Sequence, residues 1–145
     1  MKRPALSGTT IHATVSEMKI LKPKHIYCSP HYAPGVLTGN TIYTAGRIPV
    51  DQNGDIVAPK DPRAQTEQIL DCLEAILAEG KATLKDVVHL HTYYLYQEDM
   101  PVIFEVLHAR MGKPLPPHTG SRQVSSAWEE RGIRLEIEVT AVIEE

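Results

Sequence analysis

The chain has 145 residues, 42% of them hydrophobic and 23% charged, the size of a single domain able to bury its own core. Its formal net charge of -3, with 18 acidic residues against 15 lysines and arginines, leaves no basic field for a nucleic-acid backbone. With no secretory apolar segment, no run fit to span a bilayer and only Cys28 and Cys72 as thiols, the sequence predicts a cytoplasmic protein with reduced cysteines.

Residues 1–25 read as an N-terminal extension and residues 26–145 as one domain. The extension is mixed and basic, carrying Lys2, Arg3, Lys19, Lys22 and Lys24, and is expected to be partly disordered or to lie over the domain. Gly39-Asn40 separates two apolar runs and predicts a β-hairpin. Its second arm, Thr41 to Ala45, is β-branched and aromatic, as strands prefer. Pro49 suits a strand end, the segment Asp51 to Asp55 carries turn residues, and Ile56-Val57 reads as a short return strand.

Asp61-Pro62 predicts a helix start, with Asp61 as N-cap and Pro62 in the first helical position. Ile69, Cys72, Leu73, Ile76 and Leu77 then recur at helical spacing, flanked by Gln65, Glu67, Asp71 and Glu74, and Gly80 is the expected C-cap. Val88 to Tyr96 predicts a strand with Val88, Leu90, Thr92 and Tyr94 on one face and His89, His91, Tyr93 and Leu95 on the other. Glu98-Asp99 opens a second helix, buried through Val102, Val106, Leu107 and Met111 and ended by Gly112. Pro114, Pro116 and Pro117 impose an extended connector. Arg122 to Ser126 and Ile133 to Ile143 read as strands joined by a turn near Glu130 to Gly132. The last of these alternates Ile133, Leu135, Ile137 and Val139 against Arg134, Glu136, Glu138 and Thr140. The order β-β-α-β-α-β-β, with both helices on one face of a mixed sheet, is an α+β two-layer sandwich.

Residues 39–50 (GNTIYTAGRIPV), the helix RAQTEQILDCLEAILAEG, the segment LKDVVHLHTYYL and the ending LEIEVTAV, in this order, resemble the Rid (YjgF) family of enamine/imine deaminases. The likeness runs from Ser29 to the C-terminus. It implies a chorismate-mutase-like fold and a homotrimer that buries the helix-free sheet face between subunits, with clefts at the interfaces. It also implies hydrolysis of 2-enamino or 2-imino acids, such as 2-aminoacrylate, to 2-keto acids and ammonia, with no metal or organic cofactor.

On that resemblance, Tyr32 matches the tyrosine ahead of the first strand and Glu136 the glutamate of the last strand. Gly46-Arg47-Ile48-Pro49 stands where the family commonly has Gly-Gln-Ile-Pro. The family's substrate-gripping arginine has three candidate positions here. Counting from the second helix gives His118, counting back from Gln123-Val124 gives Thr119, and a three-residue insertion gives Arg122.

The chemistry explains why these residue types matter. An arginine fork holds a substrate carboxylate in two parallel hydrogen bonds; Arg122 and Arg47 are the candidates. A carboxylate such as Glu136 can take and return the proton of an attacking water when an apolar cleft raises its pKa. Tyr32 orients the substrate and walls the cleft, and a backbone amide near Gly120-Ser121 polarises the bound group. Against each stands a plainer role: Glu136 as a solvated or paired surface residue, Tyr32 as a core cap, Arg47 as an inter-subunit ion pair, Arg122 as a solvated arginine. His89 and His91 share a strand face as metal ligands would, without a third ligand at suitable spacing. Neither cysteine carries a nucleophile signature. Beside the deaminase stand three competing readings. They are a trimer that binds a small metabolite without turnover, a deaminase for another amino or imino compound such as an aminomuconate-like ring-fission product, and a ribonuclease. The acidic balance speaks against the last.

Overall fold

The structure, a computed structural model, describes residues 17–144. Residues 1–16 of the expected extension lie outside the described residues. A six-stranded sheet runs in the order β1-β2-β3-β6-β4-β5, formed by β1 (Lys19–Leu21), β2 (Gly35–Thr38), β3 (Thr41–Thr44), β4 (Val87–Tyr94), β5 (His118–Arg122) and β6 (Leu135–Val142). Every neighbouring pair is antiparallel except β4 and β5. The helices α1 (Pro62–Glu79) and α2 (Met100–Met111) cover one face, and a short α3 (Ser126–Arg131) precedes β6.

α1 forms as its sequence predicts. The Asp61 carboxylate accepts from Ala64 N at 3.1 Å, Pro62 occupies the first turn, and Ile69, Cys72, Leu73, Ile76 and Leu77 are buried. Apolar burial of this stripe against Leu135, Ile137 and Val139 of β6 supplies the main driving force for the two-layer packing. Gln65, expected on the helix flank, is fully buried. Its amide nitrogen donates to the carbonyls of Val57, Ala58 and Gly132 at 3.2, 3.1 and 2.8 Å, and its oxygen accepts from Arg134 N at 2.8 Å. A periodic reading misses it because a glutamine enters a core only when its polar atoms are fully paired. On the solvent side, Arg110 of α2 reaches Glu67, Asp71 and Glu74 of α1 at 2.6, 2.9 and 3.0 Å.

Several details depart from the sequence reading. β1 falls inside the expected extension and pairs with β2, placing Leu21 in the core at 0% exposure; three residues among lysines carry too little pattern to announce a strand. In β4, Val87 opposes Ala141 and His89 opposes Thr140. Val88 is therefore the extra residue of a β-bulge, and it turns outward instead of joining the Leu90 face. Leu95, placed with the histidines by alternation, lies past the end of β4 and is buried. α2 buries Met100, Ile103, Val106 and Leu107, while Val102 is half-buried. Finally, the strand expected over residues 122–126 lies at His118–Arg122, and the expected hairpin is α3. Parallel pairing with β4 overrides the weak strand propensity of His-Thr-Gly-Ser. Ser125 caps α3 by accepting from Trp128 N at 3.1 Å, and Gly132 ends it at φ 71°, a left-handed conformation that glycine adopts without strain. The expected return strand at Ile56 is a single bridge to Val50.

Candidate functional site

Strand parity decides which candidates meet. Residues paired across neighbouring strands share a face. On the helix-covered face, Leu90 of β4 pairs with Val139 and His118, and Thr92 with Ile137 and Gly120. On the open face, His89 pairs with Thr140, His91 with Glu138 and Thr119, and Tyr93 with Glu136 and Ser121. Tyr43 of β3 continues this face opposite Thr140 and Val36. The central strands therefore bring Glu136, Glu138, Tyr93, His89, His91, Thr119 and Ser121 onto one surface.

Glu136 is half-buried and accepts no hydrogen bond from the described residues. Its side chain lies directly over the Cα of Gly46, where a methyl group would overlap Oε1. A Cβ at residue 46 would push the Glu136 carboxylate out of this position. Burial first, and the neighbouring Glu138 carboxylate second, push the Glu136 carboxyl above the usual carboxylate range. A carboxylate held this way has spare acceptor capacity and a strengthened affinity for a proton.

Beside it runs a hydrogen-bonded chain. Tyr93 OH donates to Glu138 Oε1 at 2.7 Å. That bond first, then burial and the charges of Glu138 and Glu136, pushes the phenol up to about 12. The His91 ring stacks on Tyr93 with centroids 4.1 Å apart, and its Nδ1 lies 3.7 Å from Glu138 Oε1. His91 Nε2 meets Ser121 Oγ at 2.8 Å, and His89 Nε2 meets Thr119 Oγ1 at 3.2 Å. Both imidazoles thus hydrogen-bond β5 hydroxyls. This chain was legible as far as the strand alternation that put His89, His91 and Tyr93 on one face. Its link to Glu138 needed the register of β4 against β6.

The three candidate anchor positions separate. Thr119 is on the open face with Ser121. His118 is on the covered face, where its ring meets Phe104 edge-on at 5.1 Å and Nε2 meets Thr92 Oγ1 at 3.1 Å. Burial, then His91 and His89, hold its pKa below the ordinary imidazole value. Arg122 pairs with Tyr94 at the end of β5, on the parity opposite to Ser121, and is exposed. Arg47 is buried at 6% exposure and bridges backbone to backbone with Ile137, a covered-face residue. Its guanidinium donates to Tyr27 O at 2.9 Å, while its buried Nε has no partner among the described residues. Neither arginine forms an ion pair with Glu136. Tyr32 is exposed and lines a cavity of about 290 Å³ with Ala33, Gly35, Val36, Tyr43, Thr44 and Ala45. Glu136 does not line that cavity, so one chain does not bring Tyr32 and Glu136 into a common pocket. Cys28 and Cys72 are both free, and Cys72 lies in the α1 core stripe. No helix among the described residues is long and apolar enough to cross a membrane.

A family model described as Endoribonuclease L-PSP matches residues 23–143. The 3-aminoacrylate deaminase RutC of Acinetobacter baylyi is 35% identical over 75 residues, which are 52% of this chain and 60% of that protein. The chain thus spans less than two thirds of that relative's length. A RutC family protein of Pyrococcus abyssi is 32% identical over 85 residues, 59% of this chain and 67% of that protein. Among solved structures, RidA from an Antarctic Psychrobacter shares the fold with a TM-score of 0.77 at 24% identity, covering 86% of this chain and 99% of that one. The mixed sheet with two main helices is the YjgF-type, chorismate-mutase-like fold.

Proposed function

The chain belongs to the Rid (YjgF) family, whose model spans residues 23–143, and on that premise we propose that it catalyses the hydrolytic deamination of a small, reactive enamine or imine. The observation that carries this reading is Glu136, a half-buried carboxylate seated over Gly46, short of hydrogen-bond donors and raised in pKa by burial and Glu138. In the proposed reaction, a water oxygen attacks the imine carbon and the C=N π pair moves to nitrogen. Glu136 takes the proton that the water loses. With the imine protonated at nitrogen before the attack, this gives a neutral carbinolamine. Glu136 returns the proton to its amino group, and the C–N bond breaks with its electron pair leaving on ammonia. The hydroxyl oxygen forms the C=O bond as its proton passes back to Glu136, leaving a carbonyl product. A carboxylate of raised pKa is better matched to both halves of this shuttle near neutral pH than an ordinary one. The assembly proposed is a homotrimer closed over the open sheet face. There Ile20 of β1 and Tyr43 of β3 stand 60% and 51% exposed, apolar surface that an interface would cover. Tyr32 then orients substrate in the cleft of a neighbouring subunit.

The relatives support deamination through the name 3-aminoacrylate deaminase. The family model's description names an endoribonuclease, and the net charge of -3 favours the small-molecule reading over RNA. One observation favours a second reading, a trimer that binds a metabolite without turnover: no arginine side of β5 faces Glu136. The experiment that separates the two offers purified protein freshly generated 2-aminoacrylate and, separately, an aldimine freshly made by an amine oxidase. A nucleophilic trap competes with hydrolysis, and ammonia and carbonyl release are followed. The deaminase reading predicts release faster than the uncatalysed rate for at least one of the two, lost in Glu136→Gln. No acceleration of either by well-folded protein contradicts it and leaves the binding module.

A further inference from the structure

The residues at the anchor position define what the cleft accepts. Along β5 the open face carries Thr119 and Ser121, each hydrogen-bonded to an imidazole of β4 at 3.2 and 2.8 Å. Along β6 it carries Glu136, Glu138 and Thr140, and along β4 His89, His91 and Tyr93. No lysine or arginine occupies any of these register positions. The two nearby arginines are turned away: Arg122 has the parity of Tyr94 and the covered face, and Arg47 is buried with its guanidinium on Tyr27 O. The charges that this chain's own sheet face contributes are two carboxylates, Glu136 and Glu138, with His91 Nδ1 3.7 Å from the latter. A substrate carboxylate brought here meets like charge without a compensating cation, which disfavours it, whereas a protonated imine meets opposite charge.

We propose that the site takes cationic iminium compounds lacking a carboxylate, with Thr119 as the residue that sets this preference. The inference rests on the deaminase reading of the same site and narrows its substrate class from 2-imino acids to imines of simple amines. Thr119 is exposed on an edge strand of the single chain. An arginine at that position would extend over the open face, next to Ser121 and His89, where a planar fork can hold a carboxylate.

Two unreactive probes of matched skeleton, isoamylamine and 4-methylpentanoate, test the preference by equilibrium binding to the intact assembly, without any need for turnover. The expected result is dissociation constants at least about tenfold lower for the amine in the natural protein, with the order reversed in Thr119→Arg. Glu138→Gln is expected to weaken the amine and leave the carboxylate no worse. Tighter binding of the carboxylate by the natural protein, equal binding of both probes, or binding of neither would overturn the proposal. Should the carboxylate win and lose its advantage in Arg122→Ala, an arginine anchor on the end of β5 replaces it. The deaminase reading fails by a different sign, the absence of ammonia release, so the two can fall separately.

Discussion

The two faces of this sheet are made by the same strands and do opposite work. β6 sends Leu135, Ile137, Val139 and Ala141 to the helices, all at or below 2% exposure, and Glu136, Glu138 and Thr140 to the open side. β4 divides likewise, with Leu90 and Thr92 inward and His89, His91 and Tyr93 outward. On the covered face buried polar groups are mostly paired, as with Thr44 Oγ1 and Val139, or the Asp99 carboxylate held by Arg134 at 2.7 and 2.9 Å, with Arg47 Nε the exception among the described residues. On the open face Glu136 stays without a hydrogen-bond donor beside a second carboxylate. The difference teaches that alternation separates the core from the open-face carboxylates. A period of two residues lets one strand carry both, and the open face can hold an uncomfortable carboxylate because the opposite face supplies the folding free energy.

If that division holds, variants on the two faces must differ in kind. Ile137→Ala removes a fully buried side chain between α1 and the sheet. It is expected to cost about 2–5 kcal/mol, read as a fall in urea midpoint, while leaving the ordering of the binding probes unchanged. On the open face, Glu138→Gln is expected to leave stability within about 0.5 kcal/mol, as substitutions at partly exposed positions usually do. Its effect is spectroscopic. Tyr93 should titrate near 12 in the natural protein and fall toward the ordinary tyrosine value near 10 in the variant. Difference absorbance against Tyr93→Phe isolates this phenol. The sign follows from the shift. A phenol pKa raised by folding contributes stability that is present below about 10 and is lost as pH rises through about 12. A Tyr93 that titrates unchanged in Glu138→Gln would remove the Glu138 charge as a cause of its raised pKa.

Most of the frame was legible in the sequence because its signals are local. The Asp61-Pro62 start and apolar stripe of α1, the Gly39-Asn40 hairpin and the alternation of β6 each need only a window of a few residues, and each recurs in the structure. What escaped was long-range. The parallel pairing of β5 with β4 moved the strand from residues 122–126 to His118–Arg122 and thereby sorted the three anchor candidates between faces. The bulge at Val88 shifted one face assignment, and the pairing of β1 with β2 extended the sheet into a lysine-rich segment. α3 was signposted by Ser125 and Gly132, but its cap and stop also suit a turn. Of the site, Glu136 was named from resemblance alone. Its contact with Gly46 and its neighbours Tyr93 and Glu138 follow from register, which no single stretch of sequence carries.

The most direct test of the central claim places Glu136→Gln beside the natural protein and measures both imine hydrolysis and thermal stability across the carboxylate pH range. A carboxyl whose pKa is raised by folding favours the folded state below its unfolded pKa, and that contribution is lost as pH rises through the folded value. The account therefore predicts equal stability of the two proteins in acid and a more stable variant at neutral pH. It also predicts hydrolysis reduced about 10²–10⁴-fold, and natural-protein activity that falls as pH drops through a raised carboxylate pKa. A variant that hydrolyses the imine as fast as the natural protein, or one that is less stable at neutral pH, would contradict the assignment of Glu136 as the group that serves water.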